Sequence, residues 1–291
     1  MNRQKSQLKK HKADFTGVYN EKTPHAYFST MRELEYQIPE NSKPQINSII
    51  EEIKTSDGRN SVTVLDLGFS YGVLSALIRL DLPLDALYQR YQRPALPDSS
   101  EENEVLWFGN QPKRDDVHFG GIDASPNAIR FAQSVGLLEF GVAVDLEDSR
   151  TSLDALSALP TKIDLIVSTG CVGYITELTF KKLLLHLDAD HQPILANFVL
   201  RAFDYSAIGQ ELSHHGYETF KVPSTTFVQR RFKDSIEQAR ILSLLRSEVP
   251  ECDRSQLPEE DGYYHAELFV SVHRSARLST FLNLHKIGKK Q

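Results

Sequence analysis

Between residues 62 and 215, short apolar runs alternate with helical patterns, and this alternation restricts the possible fold more than any other feature of the chain. The first run is VTVLDL at 62–67, apolar and β-branched like the strands of a buried parallel sheet. Further strands are predicted at 117–122, 140–144, 163–168 and 194–200, and helices at 72–80, 125–135, near Leu153, 177–187 and 206–215. Repeated β-α units joined by right-handed crossovers build an open sheet with helices on both faces. We therefore predict an α/β, Rossmann-like, doubly wound fold.

The N-terminal region predicts a lid on this domain. Residues 1–44 comprise a tail and an aromatic stretch, which contains Tyr19 and Tyr27 on either side of a turn at Thr23-Pro24. An aromatic segment of this kind must cover an apolar surface. Residues 45–291 are predicted to form one domain that begins near an amphipathic helix at 44–54. Within it, residues 81–116 are an insertion after the first βα unit, with a helical stripe made by Leu84, Leu87, Tyr88 and Tyr91.

The last third of the chain predicts a closing edge of the sheet. Strand patterns at 225–232 and 267–273 flank a helical pattern at 233–246. Successive residues of a strand point to opposite faces, so we expect one of Arg230 and Arg231 to face solvent and the other to form an ion pair.

The composition excludes several classes of function. Of the 291 residues, 40% are hydrophobic and 25% charged, and the net charge is −6, whereas a nucleic-acid-binding protein needs a positive stripe. No apolar run approaches the ~18 residues of a membrane span, so we expect a cytoplasmic protein with neither a membrane nor a nucleic-acid partner. Cys171 and Cys252 are too few for a disulfide framework or, alone, for a four-ligand zinc site, and we expect no metal. A homodimer remains open.

The turn after the first strand is the first candidate for ligand binding. It reads DLGFSYG at 66–72, in which Gly68 and Gly72 allow close approach of a ligand to the backbone and Ser70 keeps the middle of the turn small. The spacing G-x-S-x-G differs from the G-x-G-x-x-G of dinucleotide-binding turns and from a phosphate-binding loop. It also matches the nucleophile elbow of α/β-hydrolases, although that elbow follows several strands. A tight turn that binds nothing is the remaining alternative.

A carboxylate follows each of the next two predicted strands. Asp123 lies in GIDASP at 121–126, and Asp145 lies in VDL at 144–146. The carboxyl ends of parallel strands share one edge of the sheet, where open α/β sheets bind their ligands. Asp123 could accept both ribose hydroxyls, and Asp145 could hold the exocyclic amine of adenine, while both residues could instead cap helices. These positions predict a site for a nucleoside without phosphates.

Four stretches resemble the class I S-adenosylmethionine (SAM)-dependent methyltransferases: VLDLGFSYG at 64–72, GIDASPNAI at 121–129, VDL at 144–146 and IDLIVS at 163–168. The resemblance implies a seven-stranded sheet with an antiparallel last strand, and SAM lying across the strand tips of a catalytic domain at 45–291. The cofactor-binding residues that it implies are Asp66, Gly68, Ser70, Tyr71, Gly72, Asp123, Ala124, Asp145, Leu146, Thr169 and Gly170. The sequence departs from the family in two places. Phe69 and Ser70 stand where Gly or Cys is usual, and the insertion places Asp123 51 residues beyond Gly72 instead of about twenty.

Two further stretches, TGCVGY at 169–174 and NFVL at 197–200, look like a bacterial subgroup of these methyltransferases that also resembles cyclases converting SAM into azetidine-2-carboxylate. A sulfonium activates all three attached carbons, so the product depends on which nucleophile is held behind which carbon. Tyr174 and Asn197 are candidates for orienting the methionine end of SAM, and Tyr19 and Tyr27 for closing the lid. We expect methyl transfer to a small molecule; a cyclase releasing methylthioadenosine and a non-catalytic SAM-binding module are the alternatives.

Overall fold

The computed structural model describes residues 16–92, 100–248 and 257–276. The helices are α1 (Thr16–Tyr19), α2 (His25–Glu33), α3 (Ile38–Asp57), α4 (Val73–Arg79), α5 (Leu84–Tyr91), α6 (Glu101–Gly109), α7 (Pro126–Ser134), α8 (Glu177–His186), α9 (Ser206–His214) and α10 (Ser235–Glu248), with 3-10 turns at Leu153–Leu156 and Pro258–Asp261. The strands are β1 (Val62–Leu67), β2 (Val117–Asp123), β3 (Phe140–Ala143), β4 (Leu165–Thr169), β5 (Ile194–Leu200), β6 (Tyr217–Lys221), β7 (Phe227–Arg231) and β8 (Tyr263–His273). Cys252, residues 1–15 of the predicted tail and residues 93–99 of the insertion lie outside the described residues.

The strands form one sheet in the order β3-β2-β1-β4-β5-β8-β6, and β7 also pairs with β8. Strands β1 to β5 are parallel to one another, and β8 runs antiparallel to each of its partners. The predicted doubly wound α/β fold with an antiparallel last strand is therefore confirmed. The strand order and the antiparallel β8 agree with what the resemblance to the class I methyltransferases implies.

The sheet has eight strands, one more than predicted. The strand that the sequence patterns missed is β6. Its sequence, YETFK, buries only Tyr217 and follows directly on α9 at Gly216, so neither its length nor its pattern separates it from the end of the helix. Lys221 of β6 pairs with Phe269 and Phe227 of β7 pairs with Ala266, so both strands occupy the same edge of β8. The seven-stranded frame is thus extended by one short strand.

The N-terminal helices and the insertion pack on the same core as the sheet. The predicted apolar stripe of α3 is buried, but the helix begins at Ile38, earlier than the pattern at 44–54 suggests, because Pro39 is accommodated in its first turn. The predicted stripe of α5 is buried too, and Tyr91 stacks on Phe28 of α2 with their ring centroids 4.7 Å apart. The insertion therefore supports the segment that was predicted to be a lid.

Within the described ranges, no helix is both long enough and apolar enough to cross a bilayer.

Candidate active site

The turn after β1 depends on glycine. Gly68 and Gly72 have φ values of +70° and +84°, and Ser70 also adopts a left-handed conformation at +53°, which is uncommon for a residue with a side chain. A Cβ atom on Gly68 would lie 2.7 Å from the Cβ of Cys171, so only glycine fits beside the β4 loop. The backbone N–H groups of Gly68 and Phe69 both donate to the carbonyl of Ile122, at 2.9 and 3.2 Å. The turn is thereby joined to the tip of β2.

Ser70 does not have the exposure of a hydrolase nucleophile. Its side chain is buried, whereas the serine of a nucleophile elbow is exposed above the sheet. The structure therefore does not favour the hydrolase alternative.

Asp123 is fixed at the tip of β2 by backbone donors. Its Oδ2 accepts a hydrogen bond from the N–H of Ser70, and its Oδ1 accepts one from the N–H of Ser125, each at 2.8 Å. The cap of α7 is Ser125, whose Oγ accepts from Ala128, so Asp123 is not the helix cap that was its alternative. Burial raises the pKa of Asp123, and the two backbone donors oppose that rise. Each carboxylate oxygen can accept a further hydrogen bond, and the neighbouring Ala124 is exposed.

Asp66 lies at the end of β1 with one oxygen unpaired. The residue is 3% exposed, and its Oδ1 has no hydrogen-bond partner among the described residues. Burial raises the pKa of Asp66 well above its ordinary value, and the nearby charge of Asp123 raises it further. A buried carboxylate without a partner is costly, so the position indicates a donor or cation supplied by a ligand.

The turn after β3 carries the next two predicted residues. Asp145 is exposed, and its Oδ1 accepts from the N–H of Glu147 at 2.9 Å, while Leu146 is buried. Asp123 and Ala143 are paired in the sheet, and the N–H of Val144 donates to the carbonyl of Asp123 at 2.8 Å. We call the residues 66–72, 123–126 and 145–148 the strand-tip turns, which lie along one edge of the sheet.

The loop after β4 closes against the first of these turns. The Cys171 thiol donates to the carbonyl of Leu67 at 3.1 Å, and the carbonyl of Thr169 accepts from the Tyr36 hydroxyl at 3.2 Å. Gly170 has a φ of +119°, and a Cβ there would lie 2.4 Å from Nε2 of Gln229 on β7. Tyr174, further along the loop, is 49% exposed.

The lid residues lie over the strand-tip turns. Tyr27 is buried between Tyr19 and Tyr71, with centroid distances of 5.3 and 5.5 Å. The Tyr71 hydroxyl donates to the carbonyl of Glu21 at 2.7 Å, and the Asn127 amide donates to that of Asn20 at 2.8 Å. These bonds fasten the segment between α1 and α2 to the turn after β1 and to the start of α7.

Tyr19 lies near two of the predicted site residues. Burial raises the pKa of Tyr19, the nearby Tyr174 and Asp123 raise it further, and Arg230 opposes the rise. A phenol whose pKa is raised stays neutral at physiological pH and cannot act as a resting base. A role for Tyr19 in closing the site stays a prediction.

Asn197 is enclosed within the sheet. It is fully buried on β5, where its Oδ1 accepts from the Ser168 hydroxyl and its Nδ2 donates to the Tyr205 hydroxyl, both at 2.8 Å. The oxygen and the nitrogen of this amide therefore each have a protein partner. A role for Asn197 in catalysis stays a prediction.

A buried ion pair on β7, the strand whose Gln229 lies against Gly170, was not located by the sequence patterns. Arg230 on β7 forms an ion pair with Glu237 at 2.9 Å, with side chains 8% and 11% exposed, and its guanidinium lies 4.6 Å from the ring centroid of Tyr264. Arg231 faces outward, as expected for one of two adjacent arginines on a strand, but it also forms an ion pair, with Glu35 at 3.3 Å, so the expectation that only one of the two is paired is wrong. We call β7 together with Glu237 and Tyr264 the β7 wall. Only the pair of adjacent arginines pointed to the β7 wall in the sequence. It predicted that one arginine forms an ion pair, but it identified neither the partner residue nor its place in the fold.

No family model and no curated protein matches the sequence, whereas several solved structures have a similar fold. Solved structures with a similar fold include the plantazolicin methyltransferase BamL in complex with a triazolic desmethylPZN analog and SAH (TM-score 0.41, 13% identity, 91% of this chain and 98% of that chain). A second is magnesium protoporphyrin IX methyltransferase (ChlM) from Synechocystis PCC 6803 with bound SAM (TM-score 0.38, 14% identity, 79% of this chain and 79% of that chain). A third is a TehB-like SAM-dependent methyltransferase from Corynebacterium glutamicum ATCC 13032 Kitasato (TM-score 0.35, 16% identity, 76% of this chain and 86% of that chain). Similarity at this level transfers no substrate to this chain.

Among the residues that the structure describes, no group of three or more His, Cys, Asp or Glu side chains is placed to hold a metal ion. A metal-free site stays a prediction.

Proposed function

We propose that this protein is a SAM-dependent methyltransferase that acts on a small-molecule acceptor. The observation that carries the proposal is Asp66, whose buried and unpaired Oδ1 lies at the end of β1, beside a glycine turn that leaves no room for a Cβ atom. A ligand that brings a cationic group to Asp66 and a ribose to Asp123 would complete both positions. SAM has both groups, since its methionine part ends in an ammonium and its adenosine part carries two ribose hydroxyls.

Each strand-tip turn would hold a different part of SAM. Asp66 would accept from the ammonium, Asp123 from the ribose hydroxyls and Asp145 from the exocyclic amine of adenine, while Leu146 would pack on the base. When bound, SAM supplies a methyl group on a sulfonium, which is open to in-line displacement. The protein's own part is to bind, to orient and to exclude water.

The fastening of the lid and of β7 favours a small acceptor. The lid is hydrogen-bonded to the strand-tip turns. In addition, β7 is hydrogen-bonded to the segment between α2 and α3, because the N–H of Arg231 donates to Leu34 and the N–H of Gln37 donates to Gln229, each at 2.7 Å. The Asn41 amide adds a hydrogen bond to the carbonyl of Val228 at 2.9 Å. If SAM binds at the strand-tip turns, segments held in this way would limit access to it, which suits a compact substrate better than a macromolecule.

One observation also favours the cyclase as a second candidate. Ring closure requires the amine of SAM to lose its proton and to displace sulfur from Cγ, so that an N–C bond forms, the C–S bond breaks and methylthioadenosine leaves. In this reading Asp66, whose pKa burial raises, would accept that proton, and the neutral ring of Tyr19 would face the cation.

Product analysis after incubation with SAM alone separates these candidates. Azetidine-2-carboxylate with methylthioadenosine identifies a cyclase, whereas S-adenosylhomocysteine (SAH) that forms only when an acceptor is added identifies a methyltransferase. Calorimetric binding of SAM without either product identifies a non-catalytic module. Absence of binding for both SAM and SAH by a folded protein would overturn the proposal.

A further inference from the structure

Glu147 connects two parts of the site that are separate in the sequence. Its Oε1 accepts hydrogen bonds from the backbone N–H of Thr176 at 2.8 Å and from the Thr179 hydroxyl at 2.7 Å, and its Oε2 accepts from the Thr176 hydroxyl at 2.7 Å. Hydrogen bonds to a charged acceptor are stronger than those between neutral groups. One carboxylate thus joins the turn after β3 to the first turn of α8.

Lys182 holds the same turn from further along α8. Its side chain is buried, with only 9% of the residue exposed, and its Nζ donates to the carbonyls of Leu146 at 3.0 Å and Asp148 at 2.7 Å. A buried ammonium is costly unless its donors are met, so this lysine strongly favours the observed path of the backbone. The residues on both sides of Glu147 are therefore fixed to one helix.

These bonds control a side chain that the sequence assigns to the cofactor. The carboxylate of Asp145 accepts from the backbone N–H of Glu147, so a shift of Glu147 shifts Asp145 with it. On the other side, Thr176 follows Tyr174 by two residues and caps α8, with its Oγ accepting from Leu178. The Glu147 carboxylate therefore lies between the base-binding turn and the loop that carries Tyr174.

We propose that Glu147 and Lys182 are positioning residues that hold Asp145 against the adenine of SAM and keep that turn in register with the Tyr174 loop. The inference rests on the proposed function. It predicts that the clamp sets base selectivity, because a correctly placed carboxylate accepts from the exocyclic amine of adenine and repels the carbonyl that hypoxanthine has at the same place.

The experiment compares calorimetric affinities for SAH and for S-inosylhomocysteine, its hypoxanthine counterpart. In Glu147→Ala and in Lys182→Met, we expect the dissociation constant for SAH to rise about tenfold and the preference for adenine to fall several-fold. Glu147→Gln keeps Oε1 as an acceptor and should show a smaller loss. The matched control is Lys181→Met, which changes the neighbouring, exposed lysine of α8 and should leave both affinities unchanged.

Three results would overturn the inference. The first is an unchanged adenine preference in the folded variants, even with weaker binding overall, since that would be a structural effect only. The second is a wild-type protein that binds SAH without preferring adenine. The third is a loss in Lys181→Met as large as in Lys182→Met. If Glu147→Ala does not fold, Glu147→Gln and Lys182→Met decide the question. A wild-type protein that binds neither SAM nor SAH would instead refute the proposed function.

Discussion

The strand-tip turns and the β7 wall both lie against the loop after β4, but their residues are brought together differently. Each strand-tip turn is a continuous stretch of sequence in which an acidic residue lies at or near the end of a strand: Asp66 precedes the last residue of β1, Asp123 is the last residue of β2, and Asp145 follows β3 by two positions. The β7 wall brings Arg230 and Glu237 together with Tyr264 of β8, and its strand is hydrogen-bonded to Leu34 and Gln37 from the other end of the chain. The strand-tip turns are therefore encoded locally, whereas the β7 wall depends on the completed tertiary structure.

Breaking the buried ion pair of the β7 wall should have the largest effect. In Arg230→Met, Glu237 remains buried without its partner, and we expect the free energy of unfolding to fall by about 4 kcal/mol. Burial alone would raise the pKa of Glu237, but the hydrogen bonds and charge of Arg230 outweigh it and hold the pKa below its ordinary value. The stabilisation is therefore present above the ordinary carboxyl pKa and is lost as the pH falls through the lowered value.

Denaturant titrations across that pH range measure this loss. The double variant Arg230→Met with Glu237→Gln should recover much of the stability, because no uncompensated charge is left. If the single and double variants are equally unstable, the ion pair does not hold the β7 wall.

The next largest effect should come from the first strand-tip turn. Gly68→Ala adds a left-handed alanine and an overlap with Cys171, and we expect a loss of about 3 kcal/mol in stability together with loss of SAM binding. Gly136 is a matched control, because its φ is +74° and a Cβ there meets nothing within 4 Å. Gly136→Ala should cost only about 1 kcal/mol, in thermal or denaturant unfolding, and should leave SAM binding intact. Equal losses would mean that backbone strain, not the contact with the β4 loop, makes Gly68 necessary.

A smaller effect on ligand affinity is expected at the tip of β2, together with some loss of stability, because the N–H groups of Ser70 and Ser125 lose their acceptor. Asp123→Ala removes acceptors for the ribose, and SAM binding should weaken by about 2 kcal/mol, or roughly 30-fold. Asp123→Asn keeps one acceptor oxygen, and its affinity for SAM should lie between that of the wild type and that of Asp123→Ala. Asp154→Ala, which changes an exposed aspartate in a 3-10 turn, serves as the calorimetric control. Unchanged affinity in Asp123→Ala would refute the ribose assignment.

The same contrast explains which features the sequence could predict. The DLGFSYG turn, Asp123 and Asp145 each lie at or near the end of a strand, so the strand pattern alone places them on one edge of the sheet. The hydrogen bond from Tyr36 to Thr169 spans 133 positions, and no local pattern marks either residue. Asn197 shows a different limit. A buried amide in an apolar strand does indicate that hydrogen-bond partners exist. The sequence cannot show whether those partners are protein residues, here Ser168 and Tyr205, or a substrate.

The smallest effect, at Asp66, separates ligand binding from stability within the strand-tip turns. Burial raises the pKa of Asp66, so the folded protein binds a proton there more tightly than the unfolded chain does. Stability without ligand should therefore fall as the pH rises from the ordinary carboxyl pKa toward the raised value. Asp66→Asn removes the charge, and at pH 7 it should increase the free energy of unfolding by about 1 kcal/mol while weakening SAM binding.

The gain in stability of Asp66→Asn should shrink at acidic pH, where wild-type Asp66 is already protonated. Denaturant titrations at several pH values measure this difference in the free energy of unfolding, with a substitution of the exposed Asp154, Asp154→Asn, as the control. A pH-independent difference between Asp66→Asn and wild type would show that the unpaired carboxylate is not held for a cationic ligand.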